Sequence, residues 1–194
     1  IIRTFTNGTE ESFKPHKYLK SQHDSTMELQ DWTLSFMESA PVEITQTYSM
    51  KGAPNPWTAL GDSVLNSTMA TGVYKTTFNL PKKQPDIAYV LDLGDVRESA
   101  RIVLNGKEVA MLFAVPFRVD LTDSLHDGTN TLEIAVTNLP ANRIAQLDRD
   151  GVKWRKFKEI NVVDLNYKNT LYDKWEPVPS GLNSPVRIIQ YKYE

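Results

Sequence analysis

Six carboxylates in the middle of the chain have the right chemistry for catalysis by type: Asp92, Asp95, Glu98, Glu108, Asp120 and Asp123. Two carboxyl groups flanking a glycosidic bond at roughly 5–9 Å can hydrolyse it, one as acid and the other as base or nucleophile. Most of these six sit at strand ends or beside turns, where acidic residues serve solvation and turn hydrogen bonds. No spacing singles out a working pair. Histidine offers less. His126 falls in the turn-like stretch 125–130, and no Ser-His-Asp arrangement can be defended around it. His16 and His23 lack ligand-like spacing. Asp148-Arg149-Asp150-Gly151 has the start of a calcium loop but not the further oxygen positions such a loop needs, so it reads as a solvated turn. There is no glycine-rich phosphate loop.

Tryptophan is the remaining chemical signal. The stretch 29–36 gives Trp32 the two-residue period of a strand, which assigns it to the core. Trp57, Trp154 and Trp175 lie in loop-like segments. An exposed indole can stack on the C–H face of a sugar, provided fixed donors and acceptors stand nearby to bind the hydroxyls. Around the late loops those are Asn142, Arg143, Asp148 and Arg155. The candidate saccharide contacts are therefore Trp57, Arg143, Trp154 and Trp175. The competing reading is that large loops use tryptophan to pin themselves onto the underlying sheets. The residues alone favour that reading for each indole. Asn138, Asn142 and Arg143 can likewise cap the end of a strand at Thr137, because Asn side chains readily bond local backbone.

The elements that would carry these residues are strands. Residues 88–137 hold alternating apolar segments separated by turn chemistry. Tyr89, Leu91 and Leu93 alternate, and so do Leu132, Ile134 and Val136. Asn105-Gly106 between Ile102-Val103-Leu104 and the return strand 107–112 is a two-residue hairpin signal, because a type I′ turn requires positive φ at both positions. Further strands are predicted over 29–36, 42–50, 69–80, 116–120 and 186–193, with a short one over 160–167. The stretch 51–68 reads as a long loop. Residues 1–28 read as a linker or the tail of a preceding domain. Residues 29–194 read as one β-sandwich with a late insertion at about 139–185, without a strong amphipathic helix.

Size and composition agree with one domain. The chain has 194 residues, a formal net charge of −2 and no cysteine. Disulfide scaffolds, zinc-thiolate sites and cysteine nucleophiles are excluded. The charge gives no electrostatic case for nucleic acid, and no run of 18 apolar residues exists to enter a membrane. The chain opens Ile1-Ile2-Arg3 and is read as a piece of a longer protein.

The ordered motifs of the central block carry a family resemblance. They are Asp92-Leu93-Gly94, Val103 to Val109, Pro116 to Leu125, and Gly128 to Asn138, flanked by Thr71 to Phe78 and by Pro179 to Arg187. Together they resemble the sugar-binding-type, galactose-binding-like jelly-roll domain of glycoside hydrolases, as in family 2 enzymes and family 106-type alpha-L-rhamnosidases, over residues 29–193. The resemblance implies an all-β antiparallel jelly-roll sandwich. It implies a non-catalytic module, structural or sugar-binding, of a multidomain and exported bacterial glycoside hydrolase. The catalytic carboxylates would then lie in an adjacent α/β barrel of the same polypeptide. Alternatives are a free-standing carbohydrate-binding module and an adhesin-type sandwich without ligand. No cofactor is required. The resemblance allows a structural calcium held largely by backbone oxygens, which no motif locates. Some family 2 members send polar residues from one loop into the neighbouring active site. Here that loop, 111–116, is apolar and offers no carboxylate, which points to packing against another domain.

Overall fold

The computed structural model describes the backbone of residues 2–4, 10–12 and 19–24, and backbone and side chains of residues 25–156, 166, 168 and 170–193. β1 (Ile2–Thr4) and β2 (Glu10–Ser12) pair as a short ribbon. The next strands are β3 (Leu19–Glu28), β4 (Trp32–Ala40), β5 (Tyr48–Met50), β6 (Met69–Leu80) and β7 (Ile87–Asp92). They are followed by β8 (Val96–Arg97), β9 (Ser99–Leu104), β10 (Lys107–Leu112), β11 (Arg118–Asp120) and β12 (Gly128–Thr137). One helix, α1 (Ala141–Arg149), precedes β13 (Gly181–Leu182) and β14 (Arg187–Tyr193).

Two antiparallel sheets form the body. One has the order β10-β9-β12-β6-β4-β5 and the other β11-β7-β14-β3, with β13-β8 as a small bridge. Alternation dictates the packing. On β6 the residues Ala70, Gly72, Tyr74, Thr76 and Leu80 are buried while Lys75 and Thr77 face out. Leu34, Tyr74, Ile102, Leu132 and Ile134 of the larger sheet share one apolar cluster with Tyr89, Leu91 and Ile188 of the smaller sheet. Each such side chain stabilises the sandwich by roughly 1.5–3 kcal/mol on burial. The chain is thus an antiparallel β-sandwich, as expected. No helix among the described residues is long and apolar enough to cross a membrane.

The Asn105-Gly106 hairpin forms as its sequence requires, with φ of 52° and 79°. Asn105 also bonds outward. Its Oδ1 accepts from Thr131 N at 2.9 Å and its Nδ2 donates to Asn130 Oδ1 at 2.9 Å. The turn thereby fixes the register of β9 against β12.

Three expectations are corrected. Residues 19–28 are not outside the sandwich: they form β3, antiparallel to β14 along the sheet edge. An edge strand is held by backbone bonds and carries polar side chains, so its hydropathy is silent. The strand expected over 42–50 shortens to β5, because Glu43 and Thr45–Thr47 are exposed and lack a partner strand. The late segment does hold a helix. Its apolar side is Ala141, Ile144, Ala145 and Leu147, and in a helix of nine residues that pattern is too short to stand out in the sequence. The strand expected over 160–167 lies outside the described residues but for residue 166.

At Gly106 an added Cβ meets nothing within 4 Å, so only the backbone resists substitution. Gly106→Val is expected to destabilise the chain by about 1 kcal/mol or more. An unchanged denaturation midpoint would contradict the turn's role.

Candidate functional site

Of the four candidate saccharide contacts, Trp57 is removed first. It opens a short 3-10 turn, Trp57–Ala59, and its side chain is 0% exposed. Its ring meets Phe36 edge-on at 5.6 Å. Trp57 N donates to Ser180 O at 2.9 Å. The indole is a core plug, and the long loop 51–68 exists around it. The loop-like polarity of its neighbours conceals this, because burial depends on a socket contributed by residues far away in sequence.

Ser180 belongs to a buried polar seam. Asn138 Oδ1 accepts from Ala70 N at 2.9 Å, while Nδ2 donates to Thr68 O and Ser180 Oγ, both at 3.0 Å. Asn142 closes a two-way bond with Val178, accepting from its N and donating to its O at 2.9 Å each. The two asparagines therefore tie the start of the late segment to its end. Their role is structural, but the bonds reach 36 to 70 residues along the chain rather than to the local backbone at Thr137 that the capping alternative called for. Arg143, next in sequence, is not part of this clamp.

Trp154 pins the middle of the segment. Its Nε1 donates to Asp148 Oδ1 at 2.6 Å, and Tyr172 N donates to Asp148 Oδ2 at 2.8 Å. The Arg155 guanidinium lies 4.5 Å from the Trp154 ring centroid and 5.3 Å from that of Tyr172. It also donates to Thr170 O and stands 3.8 Å from Asp148. The Asp148 side chain is only 4% exposed. The bond from Tyr172 N holds its carboxyl below the ordinary value against the opposing effect of burial, helped by Trp154 and Arg155. Both oxygens are thus used within the protein, and Asp150 accepts from Gln146 at 2.8 Å. The stretch 148–151 ends α1 and does not fit a calcium loop. Among the described residues no three Asp, Glu or His groups converge as metal ligands.

Trp175 is different. It is 52% exposed. Its ring packs on Tyr172 at 4.6 Å between centroids, and its carbonyl accepts from Arg149. It lines a groove of about 420 Å³ with Arg97, Glu98, Leu139, Lys174 and Glu176. A separate groove of about 410 Å³ includes Trp154, Lys153 and Arg155. Arg143 lines neither. The four therefore share no groove: Trp57 is in the core, Trp154 and Trp175 line different grooves although Arg155 and Tyr172 bridge them, and Trp175 alone combines broad exposure with a polar-rimmed groove. Arg97, Glu98, Lys174 and Glu176 were not singled out as contacts by the sequence, since charged residues in loops are common everywhere.

The carboxylates are mostly occupied. Asp92 pairs with Arg118 at 2.7 Å, Glu108 with Arg101 at 3.5 Å, and Asp120 accepts from Thr122 Oγ1 at 2.5 Å. Arg97 donates twice to Asp95, at 2.6 and 3.0 Å, and Asn183 Nδ2 donates at 2.8 Å. These bonds, Arg97's first, hold the Asp95 carboxyl below its usual value. A general acid needs the opposite shift.

The family model described as "Glycosyl hydrolase 2 galactose-binding domain-like" matches residues 20–177. The chain belongs to this family. A curated protein of Formosa agariphila named "Putative beta-glucuronidase" is 32% identical over 150 residues, covering 68% of this chain but 13% of that protein. The chain thus spans about an eighth of its relative's length. A rhamnosidase from Novosphingobium sp. PP1Y superposes with a TM-score of 0.66 at 21% identity, covering 96% of this chain and 16% of that one. A beta-D-glucuronidase of Dictyoglomus thermophilum gives a TM-score of 0.57 at 18% identity, covering 89% and 29%. At those identities the likeness concerns the fold. Within this glycosyl hydrolase 2 galactose-binding-like domain, β3 lies inside the matched range, which agrees with its place in the sheet.

Two outcomes test the site geometry. Trp57→Ala should cost about 3–5 kcal/mol, whereas Trp175→Ala should leave the melting temperature nearly unchanged. Equal effects at the two positions would contradict the assignment of one to the core and the other to the surface. For Asp148 the folded pKa is lowered, so its contribution is full above the ordinary carboxylate value and is lost as pH falls through the lowered one. Asp148→Asn should therefore lower the melting temperature at about pH 5, and the difference from wild type should shrink towards about pH 2. A difference independent of pH would show that the carboxylate's charge is immaterial.

Proposed function

We propose that this chain is a non-catalytic β-sandwich module of a multidomain glycoside hydrolase. It works beside a catalytic domain of the same polypeptide in carbohydrate degradation, in an exported bacterial enzyme. The observation that carries the reading is the asymmetry of the matches: they cover most of this chain and only 13–29% of the three relatives named. The rest of each relative leaves room for a barrel of about 250 residues or more. Occupation of Asp92, Asp95, Glu108 and Asp120 by local partners supports the same division of labour.

A second reading, contact with saccharide, is favoured by the Trp175 groove. A half-exposed indole backed by Tyr172 is a rigid platform, and Arg97, Glu98, Lys174 and Glu176 supply polar edges. Loops on a rigid sheet framework are the usual place for such contacts. Trp154 supports the platform only through the segment that bears it, and Arg143 does not line the groove.

The isolated chain is expected not to hydrolyse aryl glucuronides, rhamnosides or galactosides, while the longer protein that contains it hydrolyses at least one class. Turnover by the isolated chain that survives repurification and disappears on replacing one acidic residue would overturn the reading. On a glycan array, Trp175→Ala should abolish any binding the wild type shows, with folding intact. Binding that persists in this variant would place the contact elsewhere. A reading frame no longer than this chain would favour the free-standing module or the adhesin-type sandwich.

A further inference from the structure

Phe113 and Val115 are 82% and 80% exposed, above every other exposed large hydrophobic residue described, and Met111 beside them is 61% exposed. They form the tip of the connection between β10 and β11, at the end of the sandwich away from the Asn105-Gly106 hairpin. Ala114 and Pro116 are exposed as well. The tip lines a groove of about 500 Å³ whose other wall is Gly94 to Glu98, and Phe117 anchors its base in the core. That other wall is held in place: Arg97 is fixed on Asp95, Asp95 on Asn183, and Asp95 N on Ser184 Oγ at 2.7 Å. Single exposed hydrophobics need no explanation, but adjacent ones at one loop tip mark a contact surface.

We infer that the 111–116 tip, with the Asp95–Arg97 ion pair as its polar rim, is the surface by which this module docks onto the catalytic domain of its own polypeptide. The inference rests on the function proposed above. Area selects this occupant over a second copy. Three such side chains offer on the order of a few hundred Å² of apolar surface. One side of a stable two-chain interface buries about 800 Å². A patch of that size is too small to hold two free molecules together. It suffices for a tethered neighbour, whose effective concentration is in the millimolar range. The relatives' length supplies such a neighbour: the matched region is 13% of the Formosa agariphila protein and 16% of the Novosphingobium rhamnosidase. The rim adds direction. Asp95 and Arg97 are paired and half-exposed, so a partner can bond to them without leaving a lone charge buried.

The test uses the full-length protein with a cysteine at the tip. This chain has none of its own, so Ala114→Cys and, at the far end of β10, Lys107→Cys are distinct reporters read by peptide mapping after thiol alkylation. Position 114 is expected to react roughly tenfold or more slowly than position 107, since burial under a docked domain must be relieved before the reagent enters. Adding Phe113→Ser and Val115→Ser should bring the two rates together, and both side chains are exposed enough for the variant to fold. Protection that grows with protein concentration would identify a second copy as the occupant and overturn the inference. A full-length protein with glycoside hydrolase activity in which position 114 reacts at the control rate would overturn the inference alone. A full-length protein without such activity would overturn the proposed function, and the inference with it.

Discussion

The fit of one indole between two glycines holds the sandwich and its late segment together. A Cβ at Gly72 would stand 2.9 Å from Trp57 Cζ3, and one at Gly181 would stand 2.9 Å from Trp57 Cε3 and 2.1 Å from Tyr74 Oη. Gly181 also has φ of 107°, which few other residues tolerate. Burying an indole of about 150–250 Å² is worth roughly 4–6 kcal/mol. Trp57 Nε1 finds no hydrogen-bond partner among the described residues, a cost of about 1–3 kcal/mol. The apolar gain wins. It does so because the socket is shaped by backbone that has been cleared of side chains, which lets β6, the 51–68 loop and β13 meet around one ring.

That meeting point positions the surface. Trp57 N binds Ser180 O, Ser180 Oγ accepts from Asn138, and Asn142 holds Val178. Three residues after Trp175 the chain is therefore fixed to the sandwich, and before it Arg149 reaches across to Asp173 O and Trp175 O. The exposed indole is anchored on both sides by hydrogen bonds, part-buried at Val178 and exposed at Arg149. Tyr74 takes part as well: its hydroxyl donates to Asn55 O at 2.9 Å, and burial raises its pKa beyond the ordinary phenol range. It stays a neutral donor at any physiological pH. The chain of contacts from core plug to surface platform is continuous, so the groove at Trp175 inherits the rigidity of the sheets.

What the sequence reveals depends on where the determining interaction lies. Alternation over 69–80 and 128–137 is read directly, because each strand's burial is written in its own side chains. The Asn105-Gly106 turn is equally local. β3 is invisible because it is held by backbone bonds to β14, more than 150 residues later, and its own side chains stay polar. Helix α1 hides because it is short: nine residues carry its apolar side, Ala141, Ile144, Ala145 and Leu147, over too few turns for the period to stand out. Trp57 misleads most. Its flanking Asn55, Pro56 and Thr58 are loop residues, and the glycines that bury it lie 15 and 124 positions away, beyond any window that reads periodicity. For the same reason the grouping of Trp175 with Arg97 and Glu98, across some 80 residues, becomes visible only in three dimensions.

The acidic residues at the sheet ends serve the fold. Asp92 sits at the end of β7 opposite Arg118 on β11, and Glu28 at the end of β3 opposite Arg187 on β14. These are cross-strand pairs at sheet ends. Being largely solvated, each contributes little, about 0–1 kcal/mol. An arginine beside a carboxylate favours its charged form, as at Asp95, and a carboxylate kept charged cannot deliver a proton to a leaving group. Raising such a pKa takes an apolar pocket; Asp95 lines the groove beside the apolar 111–116 tip, but its bonds from Arg97 and Asn183 outweigh the effect of burial there. The carboxylates of the sheet ends thus tie strands together, and the one that lies beside exposed hydrophobic side chains is kept charged by its arginine.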